Sequence, residues 1–426
     1  MALDMDMAIP MATMSGQVPE GGRSRRRPWR RLTPGAALMA LAAIIVAVMS
    51  ARDAAVLILA NQNPELAMKL APANATAITN VFDETVVTQS GLGQDFEAWI
   101  AASKQALRAD PLNASGIRLL AYVTELGSDG LPRARELMKL SERASRRDTL
   151  AQIWLIEDKV RQGDVPGVLK HYDRALSVRP ALASQLFPVL MEASSEAAIQ
   201  AGLVPYLRAN RPWVPSFLSV MVAKAPDPVV VAALFRRYGG ARAVPSHAEY
   251  ETGLLRRLVL AERIVEARSF AVAAGANTAV DELGFTPATT DEHFRPLTWS
   301  LYEGSEGDVS VGTRGALTIT VRPETKIVAA TRILKPRFSR MILRQRVTYS
   351  DRDPVPLVTW RAYCRLGGAA PKQFFVHDLP ARTATVKTEI DAPDGCAGVQ
   401  IDVEAVGTTG SADAKATIDR VELTTR

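Results

Sequence analysis

The chain has 426 residues, enough for two or three domains, and its 47% hydrophobic and 23% charged residues are the proportions of an ordinary globular protein. Its net charge of +6 is concentrated at the N-terminus, where residues 1–31 contain six arginines and three acidic residues. The rest of the chain is nearly balanced in charge, which argues against a general nucleic-acid-binding protein.

A charge-free apolar segment, LTPGAALMALAAIIVAVMSA, runs between Arg31 and Arg52. Twenty helical residues span roughly 30 Å, the thickness of the hydrocarbon core of a bilayer. We therefore predict a transmembrane helix over residues 32–51, after a disordered basic tail over residues 1–31. A cleaved signal peptide is the alternative, but the long N-terminal region with its acidic residues favours an uncleaved anchor.

The arginines before this segment predict its orientation. Basic residues flanking a membrane span stay in the cytoplasm by the positive-inside rule. We therefore expect a single-pass protein of the inner (cytoplasmic) membrane, with its N-terminus inside and the bulk of the chain in the periplasm of a Gram-negative host.

Apolar residues fall at helical spacing through residues 54–195. The clearest stretch is GDVPGVLKHYDRALSVRP, residues 163–180, which presents one continuous apolar face. Its order of Gly, Ala-type residue, Tyr, Ala-Leu and terminal Pro resembles a tetratricopeptide repeat, with TLAQIWLIEDKVRQ as the partner helix. The repeat core predicted from this resemblance consists of Trp154, Gly163, Leu169, Tyr172, Ala175 and Pro180.

The resemblance implies an α-solenoid whose concave surface binds a protein partner. The same Ala-x-x-x-x-Pro ending recurs at residues 67–72 and 106–111, which supports a repeated unit. Residues 196–283 also have helical periodicity but lose the repeat period. We predict a helical extension there.

The periodicity changes to alternation in residues 285–426. ALTITV, VTWRAYC and GVQIDVEA each place apolar residues on one side only, and Gly, Pro and Asp clusters separate these runs. About nine short strands at close spacing predict an antiparallel, jelly-roll-like β-sandwich. The fold class is therefore α and β in separate domains: a transmembrane helix, a solenoid and a sandwich.

Both cysteines of the chain, Cys364 and Cys396, lie in the predicted sandwich. In an oxidising compartment they most simply form a disulfide, and two buried free thiols are the alternative. The W-x-x-x-C strand followed by a C-x-x-V strand resembles galactose-binding and carbohydrate-binding jelly rolls. The whole arrangement resembles membrane-anchored envelope proteins of bacterial exopolysaccharide gene sets.

The sequence contains no catalytic signature. The four histidines lack metal-site spacing, and GxSxG, GxxxxGK[ST] and GxGxxG motifs are absent. We therefore predict a non-enzymatic protein without catalytic residues, metal or cofactor. The acidic loop YEGSEGD, residues 302–308, is typical of a charged hairpin, with a structural Ca²⁺ site as the alternative.

Two sets of residues are candidates for ligand binding on the sandwich. The aromatic residues Tyr302, Trp360 and Phe375 are suited to stacking on sugar rings, although strand aromatics are more often core. Arg340, Arg344 and Arg346 share one face of a strand and are suited to an acidic polysaccharide, lipid headgroup or protein. An ordinary solvated sheet face is the alternative.

The function predicted from the sequence is a membrane-anchored scaffold of the bacterial cell envelope, acting in exopolysaccharide biosynthesis or export. It would bind a protein through the solenoid, the membrane through residues 32–51 and a polysaccharide through the sandwich, and no nucleic acid. The alternative is a glycan-binding or glycan-processing enzyme accessory acting through the sandwich, for which catalysis needs a convergent acid pair. A purely structural assembly factor is a third interpretation.

Overall fold

The computed structural model describes residues 34–72, 74–88, 96–127, 130–277, 279–312, 314–335, 340–365 and 370–425. The chain divides into two compact units, residues 1–95 and 96–426. The predicted tail over residues 1–31 and the first two residues of the predicted span lie outside the described residues. The predicted boundaries after residues 195 and 283 both fall inside the second unit.

The described part of the first unit is helical. The helix α1 contains the one stretch in the described residues that is long and apolar enough to cross a membrane, Leu38–Gln62, with a mean hydropathy of 2.1. A signal sequence near an N-terminus satisfies the same criterion. The helices are α1 Pro34–Gln62, α2 Pro64–Leu70 and α3 Ala75–Thr88.

Helix α1 continues past the predicted end of the span at residue 51, because its second half has packing partners. The guanidinium of Arg52 donates to the carbonyl oxygen of Leu70 at 2.8 Å, at the end of α2. The small side chains of Ala60, Ala67 and Ala77 are buried together between the three helices. The charge-free first half of α1, by contrast, is exposed from residue 38 onwards.

The second unit begins with a series of helices connected by short turns. Asn113 and Asp148 cap the helices α5 and α7 by accepting hydrogen bonds from backbone N–H groups three residues later. The helices are α4 Phe96–Ala109, α5 Ala114–Glu125, α6 Leu131–Ala144, α7 Thr149–Arg161, α8 Val165–Val178, α9 Ala183–Ala193, α10 Ala197–Arg208, α11 Val214–Lys224, α12 Pro228–Tyr238, α13 Gly240–Ala243, α14 Ala248–Leu260 and α15 Ile264–Ala271.

The residues predicted as repeat core divide into two groups. Four of them are buried, namely Trp154, Leu169, Tyr172 and Ala175. Gly163 and Pro180 are exposed and instead delimit α8. Gly163 has a left-handed φ of +68° in the turn before the helix, and Pro180 follows its last turn.

The rest of the second unit is a β-sandwich of two antiparallel sheets, ordered β1-β4-β9-β6-β7 and β2-β3-β10-β5-β8. The chain changes sheet at most connections after β3, which gives the predicted jelly-roll-like arrangement. The strands are β1 Ser300–Leu301, β2 Gly307–Val311, β3 Leu317–Val321, β4 Lys326–Leu334, β5 Arg340–Thr348, β6 Leu357–Arg365, β7 Lys372–Asp378, β8 Ala384–Asp391, β9 Gly398–Val406 and β10 Ala414–Thr425.

The segment between α15 and β1 joins the helices to the sandwich. Its Phe285 and Trp299 belong to the sandwich core, whereas Phe294 and Leu297 belong to the helical core. Ile333 of β4 also packs in the helical core. This segment and β4 therefore connect the two cores.

The fully buried side chain of Arg332 fixes this junction. Its guanidinium donates to the carbonyl oxygens of Glu282, Val280 (3.1 Å) and Leu297 (2.6 Å). It also lies 5.3 Å from the ring centroid of Trp299. Burial lowers the pKa of Arg332, and the neighbouring acidic groups oppose this shift.

Replacing Arg332 with Met should lower the free energy of unfolding by about 3 kcal/mol or more, because several buried carbonyl oxygens lose their donor. Urea denaturation measures this change. The control is Arg344→Met on an exposed strand face, which should change stability by less than about 0.5 kcal/mol. Equal effects of the two substitutions would contradict the role assigned to Arg332.

Acid should destabilise the helices through His171, which is buried on α8 with Nδ1 2.7 Å from Oε1 of Gln152. Burial lowers the pKa of His171 to about 4 from an ordinary 6.5. Between these values the unfolded chain binds a proton that the folded chain does not, so stability falls as the pH drops from 6.5 to 4. The loss attributable to this residue is at most roughly 3 kcal/mol.

Denaturation curves at a series of pH values test this expectation. His171→Gln should have a shallower dependence than the parent chain over that window. Identical slopes for the two chains would show that His171 is not held neutral by burial.

A candidate binding face on the β-sandwich

The outer side of the sheet β1-β4-β9-β6-β7 carries polar side chains that are joined by hydrogen bonds. Strict alternation in β6 and β9 places Trp360, Ala362, Ile401 and Val403 in the core. The intervening residues of both strands therefore point outward. These are Thr359, Arg361, Tyr363 and Arg365 of β6, and Gln400, Asp402 and Glu404 of β9.

The strand register arranges the outward residues in rows across four strands. Directly paired residues share a face of the sheet, so each row brings side chains from distant parts of the chain together. The rows are Val328–Glu404–Thr359–Asp378, Thr331–Asp402–Arg361–Val376 and Ile333–Gln400–Tyr363–Gln373.

Arg361 is the centre of one hydrogen-bonded chain on this face. Its Nε donates to Oε2 of Glu404 at 2.6 Å, and its Nη1 donates to Oε1 of Gln373 at 3.0 Å. Lys326 reaches the same carboxylate of Glu404 at 2.9 Å. Two cations therefore neutralise one carboxylate and hold it in a single orientation.

A second chain of hydrogen bonds centres on Asp402. Its carboxylate accepts from Oγ1 of Thr331 at 2.5 Å and from Nε2 of Gln400 at 3.1 Å. Arg365 in turn donates to Oε1 of Gln400 at 3.3 Å. The planar polar groups of the face are thereby fixed before any ligand arrives.

The centre of the face is sheltered although it points away from the core. Asp402 and Glu404 are only 6% and 7% exposed. On the outer side of the other sheet, the charged residues Lys387, Glu389 and Asp391 of the edge strand β8 are exposed. Asp402 and Glu404 of the central strand β9 therefore lie in a recess of the first sheet's outer face.

The charges on this face shift the ionisation of its members. Burial favours a higher pKa for Glu404, but hydrogen bonds from Lys326 and Arg361 outweigh it and hold the pKa below its ordinary value. Burial, together with the carboxylates of Asp402 and Glu404, raises the pKa of Tyr363. At neutral pH the face therefore presents an ionised carboxylate and a neutral phenol.

One end of the face is closed by the helical part. A Cβ at Gly398 would lie 2.9 Å from Cγ1 of Ile264, so only glycine lets α15 approach this closely. Ile333, in the same row as Gln400 and Tyr363, packs into the helical core. Helix α15 thus forms a wall at Gly398, one row along the sheet from Tyr363.

The predicted disulfide stabilises the rim near that wall. Cys364 of β6 is bonded to Cys396, just before β9, with their Cα atoms 5.4 Å apart. The backbone N–H of Ala397 donates to the carbonyl oxygen of Arg365 at 2.9 Å. The ends of β6 and β9 that carry Arg365 and Gly398 are therefore held together.

The three aromatic residues predicted to stack on sugars do not form an exposed surface. Trp360 is 1% exposed within the core, so its ring is not available to a ligand. Phe375 and Tyr302 are each half-buried against that same core. An aromatic residue in an alternating strand fills the core when the pattern places it on the apolar side.

The predicted basic stripe lies on the outer side of the other sheet, and acidic residues flank it. Arg340 forms an ion pair with Asp391 at 2.9 Å. Arg344 and Arg346 are paired in register with Glu422 and Asp419 of β10. The stripe therefore has compensating acids beside each arginine and carries no strong excess of positive charge.

The acidic loop after β1 is held by local contacts. Glu303 accepts a hydrogen bond from Arg295 at 3.2 Å, and the hydroxyl of Tyr302 accepts one from the backbone N–H of Glu306 at 3.3 Å. Within the residues that the structure describes, no group of three His, Cys, Asp or Glu side chains is arranged to hold a metal ion.

Alternation in the sequences of β6 and β9 predicts which of their residues point to the polar face. The same alternation that places Trp360 inward places Arg361, Tyr363 and Arg365 outward, and the alternation of β9 does the same for Gln400 and Asp402. What the sequence could not reveal is that β6 and β9 are neighbours, because residues 366–397, which include β7 and β8, lie between them.

No family model matches the chain, and no curated protein matches it. Among solved structures, the sandwich is similar to a CBM4 module (20% identity, 31% of this chain and 96% of that one, TM-score 0.24). It is also similar to the CBM22-1 xylan-binding domain of Xyn10C from Paenibacillus barcinonensis (10%, 29% and 83%, 0.22). A third is a family 16 carbohydrate-binding module (14%, 33% and 96%, 0.23). Similarity this low in identity and TM-score transfers neither a function nor a ligand.

Removing the disulfide with Cys364→Ala and Cys396→Ala should lower the free energy of unfolding by roughly 3–4 kcal/mol, because the bond closes a loop of about thirty residues. Urea denaturation of the oxidised parent and the double variant provides the measurement. Reduction of the parent should reproduce the loss, and an unchanged midpoint in both cases would refute this estimate.

Proposed function

We propose that this chain is a membrane-anchored, non-catalytic protein of the bacterial cell envelope that binds a carbohydrate on the outer face of the β1-β4-β9-β6-β7 sheet. The observation that supports this proposal is the sheltered network of planar polar groups around Tyr363. Its side chains are already oriented, so a ligand would not have to bear the entropic cost of ordering them.

The chemistry of the face suits a sugar. Sugar hydroxyls both donate and accept hydrogen bonds, and the face offers guanidinium donors, carboxylate acceptors and amides that do both. The faces of a sugar ring also carry C–H groups, for which the ring of Tyr363 provides an apolar contact beside a polar hydroxyl. The opposite charges on the face nearly cancel, which favours a neutral or weakly charged glycan.

The helices support a second role as a protein-binding scaffold. Helices α6 and α8 begin at residues 131 and 165, each with an apolar residue followed by proline. This interval matches the period of roughly 34 residues of tetratricopeptide repeats. We propose that α4–α8 belong to such a repeat region, that α1 is the inner-membrane anchor with the rest of the chain in the periplasm, and that the protein acts in exopolysaccharide biosynthesis or export.

A glycan-processing enzyme is the competing function, because Asp402 and Glu404 occupy neighbouring outward positions of β9, roughly 7 Å apart along the strand. A glycosidase also needs one carboxyl group with a raised pKa to serve as the general acid. The pKa of Glu404 is lowered, and both carboxylates are occupied by hydrogen bonds. This electrostatic setting favours binding over hydrolysis.

A binding assay on the full chain tests the carbohydrate site. The chain is solubilised in a detergent without a sugar headgroup and titrated with neutral xylan and glucan oligosaccharides and with uronate oligosaccharides. Tyr363→Ala should weaken binding of the best ligand about tenfold or more, which corresponds to 1.4 kcal/mol or more. Tyr363→Phe should retain most of the affinity if the ring face makes the contact.

The matched control is Arg344→Ala, on the outer face of the other sheet, which should leave the affinity unchanged. Thermal melting of each variant confirms that it is folded. Loss of binding in Arg344→Ala rather than Tyr363→Ala would place the site on the other sheet, and release of reducing sugar by the parent chain would favour the enzyme.

A further inference from the structure

A cavity of about 440 Å³ lies among helices α10, α12, α13, α14 and α15, away from the strands that form the polar face. The buried rings of Phe235 and Phe270 form part of its wall, in edge-to-face contact at 6.1 Å. Three exposed arginines also line it, namely Arg208, Arg236 and Arg242. Its size is within the range of cavities that bind small molecules.

These three arginines have no carboxylate partner among the described residues, unlike other arginines of the helical part. Arg211 pairs with Asp173 at 2.8 Å, and Arg268 pairs with Asp281 at 2.5 Å. Of the cavity arginines, Arg208 donates only to the carbonyl oxygen of Tyr238, at 2.9 Å. The helix dipole favours an arginine at the C-terminal end of a helix, but this effect does not explain why three arginines line the same cavity.

One acidic residue, Glu251, lines the cavity and offsets only one of the three arginine charges. Glu251 is 3% exposed, and its carboxylate accepts hydrogen bonds from the backbone N–H of Ala241 and from Nε2 of His293, both at 2.8 Å. These hydrogen bonds hold the carboxylate beside α13 and the segment before β1. The opening of the cavity retains an excess of positive charge.

Three glycines in left-handed conformations lie in or beside the lining of the cavity. Gly239 and Gly240 have left-handed φ angles of +97° and +54° where α12 turns into α13. Gly275 has a φ of +120° at the end of a π-helical turn, and a Cβ there would lie 3.0 Å from Nη2 of Arg242.

We propose that this cavity binds an anionic group, a carboxylate or a phosphate, on a ligand of about the size of one sugar. Guanidinium groups bind both oxyanions through paired hydrogen bonds, which gives the cavity its selectivity over neutral molecules. The site is distinct from the carbohydrate face, because its lining residues lie on helices and on no strand of the sheet. Its charge is positive, whereas the charges on the face nearly cancel.

Isothermal titration of the full chain at low ionic strength tests this site, in a neutral detergent without a sugar headgroup. The probes are inorganic phosphate, glucuronate and glucose. Phosphate or glucuronate should bind and glucose should not. The double variant Arg236→Gln with Arg242→Gln should lose at least about tenfold in affinity. Arg237→Gln, an exposed neighbour on α12 that does not line the cavity, should bind like the parent.

The two anions distinguish the sources of the charge. Stronger binding of glucuronate assigns the cavity to an acidic sugar, and stronger binding of phosphate assigns it to a phosphorylated ligand. Binding of neither anion, or an equal loss in Arg237→Gln, would overturn the proposal. Tyr363→Ala should leave anion binding unchanged, which separates failure of this site from failure of the carbohydrate face.

Discussion

The buried guanidinium of Arg332 is the interaction on which the arrangement of the second unit depends. A buried cation is costly unless hydrogen bonds satisfy it, and here the carbonyl oxygens of the segment before β1 supply them. To provide these acceptors, the segment runs beside β4, where the backbone N–H of Ile333 donates to the carbonyl oxygen of Pro296. In this position Phe285 and Trp299 pack in one core, and Phe294 and Leu297 pack in the other.

The position of the helices gives the sandwich two unequal outer faces. Because the segment fixes α15 against Gly398 and Ile333, one end of the β1-β4-β9-β6-β7 sheet lies behind a helical wall. Thr331, the neighbour of Arg332 on β4, points to that face and orients Asp402. On the opposite sheet, the charged side chains of the edge strand β8 are exposed. The same junction therefore supports the fold and shapes the recess.

Local periodicity predicted the class of fold. It could not predict which strands pair or which side chains pack between distant parts of the chain. Alternation in VTWRAYC and GVQIDVEA predicted strands and placed Trp360 with the apolar side, and two cysteines in one domain predicted their bond. The sequence did not indicate that Arg332 is buried, since an arginine in a strand is normally exposed. Nor did it show that Arg361 and Asp402 are partners, because strand pairing between β6 and β9 determines this.

The roles of the predicted binding residues also depend on long-range packing. Aromatic rings such as those of Tyr302, Trp360 and Phe375 can stack on sugars, but the core requires such rings more often than a surface does. The apolar run ends at Arg52, but helix α1 continues past it because the guanidinium of Arg52 caps α2. In each case a tertiary contact determined the role of the side chain.

A structure of the chain bound to its strongest-binding oligosaccharide tests the central claim most directly. The account predicts a sugar ring against Tyr363, with hydroxyl groups within hydrogen-bond distance of Arg361, Gln400 or Asp402 and the end of the glycan beside α15. A glycan bound on the outer side of the β2-β3-β10-β5-β8 sheet, or on the helices alone, would contradict it.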